Sequence, residues 1–424
     1  MTANASLLNI LFIAAVLLSL SLRLSLNYRQ IAHVRRHRDT VPPAFADRIS
    51  LTEHQKAADY TVDRAQSGFF AIFTDTSLLL ALTLGGGLAA LADFWQHHLG
   101  GGLASGAALI YSVMLLSSAA DLPLAWYRQF VIEARHGFNR MTPTLFLADL
   151  GKQALLGFII GLPLVLAVLW LMQGMGDHWW LWVWACWSGF NLLLLFIYPT
   201  WIAPLFNRFT PLADGETKTR IEALLKRCGF RANGLFVMDG SKRSSHGNAY
   251  FTGFGKNKRI VFFDTLLERL SPGQIEAVLA HELGHFHCRH VQKRMLLMFA
   301  GSLIFLSLLG QLLDAPWFYA GLGVPLSTET PQTALALTLF FLTLPVFLFP
   351  LSPLGSWLSR RDEFAADAFA ARHTSAHELA QALVKLYQDN AATLTPDPLY
   401  SLFYDSHPGA SQRIAHLQTL ENPA

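Results

Sequence analysis

Seven apolar stretches, each close to the length a helix needs to cross a bilayer, constrain this chain more than any other feature. A helix rises about 1.5 Å per residue and the hydrocarbon core is about 30 Å thick, so a span takes about 20 predominantly apolar residues. Hydropathy marks such runs at roughly 5–24, 68–92, 103–122, 153–173, 178–198, 295–313 and 333–352. The fourth and fifth are separated only by "QGMGDHW", which reads as a tight hairpin. No basic residue precedes the first run and Arg23 follows it, so it predicts a retained membrane helix rather than a cleaved signal peptide.

The loops support that count. Arg29, Arg35, Arg36, Arg38, Arg48, Lys56 and Arg64 lie between the first two runs, and Arg128, Arg135 and Arg140 between the third and fourth. The segments after the fifth and seventh runs are also rich in Lys and Arg, whereas 93–102, 174–178 and 314–332 contain none. Positive charge thus alternates loop by loop, which places the N-terminus outside and the C-terminus in the cytoplasm. Only 14% of residues are charged, against about 25% in soluble domains. A net charge of +3 gives no reason to expect nucleic acid as a partner. Three scattered cysteines, Cys186, Cys228 and Cys288, make no disulfide framework.

Two polar regions remain, at about 199–294 and 353–424. The expected organisation is therefore 1–198 with five spans, 199–294 cytoplasmic, 295–352 with two spans, and 353–424 cytoplasmic and helical. In the first polar region "ETKTRIEALLKRCGF" has helical spacing, while "GLFVMD" and "KRIVFFD" read as short strands. "AYFTGFGKNKRIVFF" predicts a hairpin with a Gly/Asn/Lys turn. A helix is predicted through "SPGQIEAVLAHELGHFHCRHVQKR", with Ser271 as N-cap, Pro272 in the first turn and Gln274 completing a capping box. "SWLSRRDEFAADAFAARH" and "SAHELAQALVKLYQDN" predict two more helices.

The chemistry concentrates at "AHELGHFHCRH", residues 280–290. Side chains four apart share one helix face about 6 Å apart, so His281 and His285 can aim ring nitrogens at one ion. Glu282, about 100° round the helix, can reach a water there; this is the His-Glu-x-x-His arrangement of zinc hydrolases. Catalytic zinc needs a third protein ligand and an open position. Glu363 and Asp367, again four apart, offer one carboxylate for the metal and another to orient a ligand histidine. His287 and His290 read as surface residues of the same helix. Cys288 is a rival ligand that would close the site, with packing the favoured reading.

Longer motifs surround these residues. "FVIEARHGFNRMTPTLFLADLGK" (130–152), "DGSKRSSHGNAYFTGFGKNKRIVFFDTLL" (239–267), "AVLAHELGHF" (277–286), "SRRDEFAADAFA" (359–370) and "DSHPGASQRI" (405–414) resemble those of the type I CAAX prenyl proteases, integral-membrane zinc metalloendopeptidases. The resemblance covers nearly the whole chain. It implies a mainly α fold: a seven-helix membrane bundle enclosing a water-filled chamber, closed on the cytoplasmic side by an α+β, zincin-like metallopeptidase domain. It implies one zinc per chain on His281, His285 and Glu363, with Glu282 as general base and acid and Asp367 behind a ligand histidine. It puts Asn248, Ala249 and Tyr250 on an edge strand that receives substrate backbone. His407 and Arg413 are implied to stabilise the oxyanion or hold substrate. Asp75, Glu133, Arg135 and His136 are candidates to line the chamber.

The expected activity is peptide hydrolysis within the membrane. In the family, the last three residues of a prenylated Cys-a-a-X protein are removed. The charge alternation and the absence of a C-terminal dilysine signal favour a bacterial inner membrane, where the substrate would instead be misfolded or stalled membrane protein. A different class of reading is a chamber that binds or transports an amphiphile around a structural zinc. The expected partners are a peptide or prenylated protein and the lipid bilayer.

Overall fold

The computed structural model describes residues 2–252, 258–324 and 332–421. Its longer helices are α1 (Ala3–Arg36), α2 (Leu51–Leu82), α3 (Gly87–Leu99), α4 (Leu103–Tyr127), α5 (Pro143–Gly174), α6 (Trp179–Ile197), α7 (Glu216–Arg227), α8 (Pro272–His287), α9 (His290–Leu312), α10 (Gln332–Leu348), α11 (Ser352–His373), α12 (Ala376–Asp389), α13 (Pro398–Tyr404) and α14 (Ala410–Glu421). Strands β1 (Phe209–Pro211), β2 (Leu235–Met238), β3 (Ala249–Thr252) and β4 (Arg259–Phe263) form one sheet in the order β1-β2-β4-β3.

Seven helical segments among the described residues are long and apolar enough to cross a membrane. One large apolar cluster, including Phe12, Leu88, Leu169, Leu309, Tyr319 and Leu339, ties them together. Several are longer than a bilayer crossing requires. α1 has 34 residues, about 50 Å of helix against a core of about 30 Å. Its far end docks on the C-terminal region, where Arg29 reaches Asp397 at 2.9 Å and Gln30 accepts from the Asp397 backbone N–H at 2.7 Å. The second apolar run is not one helix. The chain turns at 83–86, with Gly86 at φ +75°, and α3 occupies most of the expected bare loop at 93–102.

The two helices that carry the candidate ligands both adjoin spans, and here the structure departs from expectation twice. The helix predicted through 271–294 breaks after His287. Arg289 takes a left-handed φ of 58°, and α9 starts afresh at His290 and runs on as the sixth span. α11 does not begin a separate unit: a single 3₁₀ turn, Phe349–Leu351, joins it to α10, so the seventh span runs on through Glu363. The capping box at the start of α8 is present. Ser271 Oγ accepts from Gln274 N–H and the Gln274 carboxamide oxygen accepts from Ser271 N–H.

The polar part has its own core. Ile221 and Leu224 of α7, Ile260 and Phe262 of β4, Leu279 and Leu283 of α8, Phe369 of α11 and Leu379 of α12 are all buried in it. Gly284 lets α8 lie directly on α11, because a Cβ there would stand 2.8 Å from Ala366 Cα. The sheet sits against this core. β2 and β4 are parallel, β3 and β4 antiparallel with Ala249 opposite Phe262, and β3 is an outer strand. The hairpin pairing is as predicted, but its turn at 253–257 lies outside the described residues. The short β1, paired with β2, had no signal in the alternation pattern.

Candidate active site

The site is assembled from the facing sides of α8 and α11. His281 and His285 stand one turn apart on α8, with their Nε2 atoms 3.3 Å apart. Glu363 of α11 closes the triangle: Oε2 is 3.3 Å from His281 Nε2 and Oε1 is 3.3 Å from His285 Nε2. One ligand atom from each residue can be chosen so that all lie within 4.8 Å of one another.

Hydrogen bonding alone accounts poorly for this triangle. Two imidazole nitrogens at 3.3 Å make at best a long bond, and Glu363 Oε2 is buried with no hydrogen-bond partner. A divalent ion accounts for it well. Ligand nitrogens held at about 2.0–2.1 Å from zinc in a tetrahedral arrangement are themselves about 3.3 Å apart. Two imidazoles and a carboxylate are the donor set of a catalytic rather than a closed site. Cys288 does not belong to the group, among the described residues, and neither does His287, whose ring lies 4.8 Å from Phe369.

Each histidine ligand is backed by a further group. His281 Nδ1 is 2.8 Å from Asp367 Oδ1, which fixes the ring with Nε2 towards the triangle. Asp367 is fully buried and also accepts from Arg413, at 2.9 Å from Nε and 2.5 Å from Nη2. Burial pushes the His281 imidazole down, but the adjoining Asp367 and Glu363 carboxylates outweigh this and raise it overall. His285 Nδ1 meets His290 Nδ1 at 3.0 Å, and His290 Nε2 lies 3.4 Å from Asp362 Oδ1. His290 is therefore not the surface residue expected. It is 3% exposed, and the left-handed Arg289 turns it back onto the site.

Glu282 projects into the same cavity, of about 520 Å³, with His281, Glu363, His407 and Arg413. Burial raises its carboxyl above the ordinary range. His407 is exposed on this cavity, with Nε2 3.5 Å from Glu363 Oε1 and Nδ1 3.0 Å from Ser406 Oγ. Arg413 is placed differently from a free oxyanion donor. Two of its nitrogens are committed to Asp367, and Nη1 faces Glu363 Oε2 at 3.5 Å.

Asn248 and Ala249 line the cavity, while Tyr250 is half-buried with its hydroxyl 3.9 Å from Met238 sulfur. Phe263 N–H donates to Asn248 C=O at 2.9 Å. Bonding alternates along an antiparallel register, so Tyr250 also turns its backbone to β4, while Ala249 and Phe251 present theirs to the outer edge. Of the candidate chamber residues, Asp75 lines a cavity of about 470 Å³ between the spans and pairs with Arg23 at 2.9 Å. Glu133 lines a smaller one of about 290 Å³. Arg135 and His136 are instead drawn to Asp63, at 2.8 and 2.9 Å.

A His-Glu-x-x-His helix that leads into one membrane span, packed on a carboxylate helix that continues another, defines a membrane-embedded metallopeptidase. Comparison with known proteins agrees. Residues 30–208 match the family described as CAAX prenyl protease N-terminal, five membrane helices, and residues 211–421 match peptidase family M48. The chain is 34% identical to CAAX prenyl protease 1 homolog of Oryza sativa subsp. japonica, over 92% of this chain and 93% of that one. It is 32% identical to CAAX prenyl protease 1 of Saccharomyces cerevisiae, over 92% and 91%. The crystal structure of S. mikatae Ste24p superposes with a TM-score of 0.89 at 30% identity, covering 97% of this chain and 99% of that one. The chain belongs to the CAAX prenyl protease branch of peptidase family M48. The relatives named here are eukaryotic, which runs against the bacterial source expected from the loop charges.

Proposed function

We propose that the protein hydrolyses the C-terminal segment of prenylated Cys-a-a-X proteins, using one zinc ion held by His281, His285 and Glu363. The observation that carries this reading is the triangle of ligand atoms at 3.3 Å with Glu282 beside it in one cavity. When bound, zinc supplies Lewis acidity, polarising a carbonyl and easing deprotonation of water. Glu282 takes the proton of the attacking water and delivers it to the departing amine; its burial-raised carboxyl suits it to both transfers. Asp367 holds the His281 ring, and Arg413 holds Asp367. His407, exposed on the cavity wall, is the side chain placed to donate to the oxyanion. The outward backbone groups of β3 receive the substrate as an added strand. The loop charges orient the polar part, and so the site, towards the cytoplasm, with the spans in lipid. The substrate class follows the names of the relatives.

The test uses the full chain in detergent, a prenylated reporter peptide, and zinc quantification. Glu282→Gln retains zinc at one per chain while turnover falls about 10²–10⁴-fold. A variant that retains both zinc and wild-type turnover would overturn the assignment.

A further inference from the structure

α11 turns one stripe of side chains towards the segment that carries His407. Ser356, Arg360, Glu363 and Asp367 are spaced by four, three and four residues, so they share a helix face. Along that face Ser356 Oγ donates to Phe403 C=O at 3.1 Å. Arg360 Nη1 donates to Ser401 C=O at 3.0 Å and to Asp405 C=O at 2.9 Å. Glu363 Oε1 stands 3.5 Å from His407 Nε2, and Asp367 accepts from Arg413. The helix that supplies the third metal ligand therefore also grips the backbone leading to His407.

Arg360 holds that backbone where it most needs holding. α13 ends at Tyr404, and Asp405 is extended, with φ −88° and ψ 117°. Residues 405–409 form neither helix nor strand before α14 begins at Ala410. His407 lies in the middle of this loop, exposed on the cavity. Its Nδ1 contact, Ser406 Oγ at 3.0 Å, belongs to the same loop and cannot fix the loop in space. Carbonyls at the end of a helix lack intrahelical donors, and a cation is favoured there. One Arg360 nitrogen bridges the last turn of α13 and the Asp405 carbonyl, two residues before His407. We propose that Arg360 is the positioning residue for His407, holding the Asp405 backbone so that the imidazole stands at a set distance from Glu363 and from the oxyanion. This rests on the hydrolytic reading given above, with His407 as the oxyanion donor. Such a donor works only when fixed in place beforehand, so loosening its loop costs rate without touching the metal ligands.

The test is a double-mutant cycle on the full zinc-loaded chain in detergent, with the prenylated reporter peptide as substrate. His407→Gln lowers kcat about 10²–10³-fold, the cost of losing one oxyanion donor. Arg360→Gln leaves His407 present but unheld; it lowers kcat about 10–100-fold, with KM within about twofold of wild type and zinc retained. Arg360→Lys, still a cation able to reach the carbonyls, recovers part of that and leaves a loss of about three- to tenfold. In the His407→Gln background neither Arg360 substitution costs more, because no donor remains to be placed. A labelled phosphinic peptide, whose tetrahedral oxygens imitate the oxyanion, binds Arg360→Gln about tenfold more weakly by fluorescence anisotropy. The uncleaved reporter binds Glu282→Gln protein equally with and without Arg360→Gln. Losses that multiply in the double variant, or wild-type kcat in Arg360→Gln, overturn the proposal. If Arg360→Gln does not fold or load zinc, Arg360→Lys takes its place in the cycle, and a loss that persists without His407, or no loss at all, overturns it equally. Wild-type turnover by His407→Gln removes the oxyanion role and this proposal with it, leaving hydrolysis through Glu282 intact. Turnover by Glu282→Gln would instead refute the hydrolytic reading itself.

Discussion

The metal site depends on how closely two helices approach, and one glycine sets that distance. Gly284 lies between the two ligand histidines of α8. A Cβ built there stands 2.8 Å from Ala366 Cα, 3.0 Å from Ala366 O and 3.1 Å from Phe369 Cβ. Two of those atoms are backbone, so no rotamer change relieves the clash. Restoring ordinary contact, from 2.8 to about 3.4 Å, moves α11 by about 0.6 Å relative to α8. Glu363, one turn before Ala366 on α11, moves with it. Ligand distances in a working site hold to about 0.2 Å, so a shift of that size pulls the carboxylate off the ion. Gly284→Ala should weaken zinc binding about a hundredfold and destabilise the fold by about 1–3 kcal/mol through overpacking. Competition with a chelator of known affinity, on purified protein in detergent, reads the first quantity; thermal unfolding reads the second. Gly301→Ala is the control, because a Cβ at Gly301 meets nothing within 4 Å. Wild-type zinc affinity in Gly284→Ala would refute the argument that interhelical distance defines the site.

The histidine behind the second ligand and the proton on the first yield two further predictions. His290→Ala removes the partner of His285 Nδ1 at 3.0 Å and should lower zinc affinity about 10–100-fold, with partial recovery in His290→Gln, as read by the same competition assay. Zinc must displace the proton that Asp367 and Glu363 stabilise on His281, so affinity should fall as pH falls, about tenfold per unit. Because that pKa is raised, the fall should begin above the ordinary histidine value of 6.5; titrations that stay flat from about pH 8 to about pH 6 would contradict it.

The legible parts of this fold were those written in local patterns. Hydropathy and loop charge mark the spans, Ser271-Pro272-Gln274 marks the start of α8, and the four-residue spacings of His281/His285 and Glu363/Asp367 mark side chains on common helix faces. What could not be read were juxtapositions made by backbone geometry at single positions. On an unbroken helix His290 would lie five residues from His285, about 140° round the axis and facing away. Arg289 at φ 58° undoes that, and arginine carries no preference for the left-handed region that would betray the break. The sequence pairs Glu363 with Asp367 but does not say which takes the metal. α11's position favours Glu363, which stands across from both Nε2 atoms, while Asp367 lies behind His281.

The same geometry explains why so polar a cluster is maintained beneath a membrane bundle. Buried ion pairs are weak sources of stability, since desolvation consumes most of their attraction. The Asp367–Arg413 pair therefore makes better physical sense as a positioning device. Asp367 accepts from both Arg413 and His281, and Arg413 also faces Glu363, so one guanidinium fixes the carboxylates on both sides of the ligand set. Arg413 belongs to α14, while Glu363 and Asp367 belong to α11, which continues the seventh span, and His281 and His285 belong to α8, which leads into the sixth. Three separate chain segments thus have to be in register before the metal ligands converge. The boundary between apolar and polar sequence near residue 353 falls within this arrangement, because α10 and α11 are joined by one 3₁₀ turn. A membrane span and a ligand helix moving as one body couple the packing of the bundle to the position of the Glu363 carboxylate.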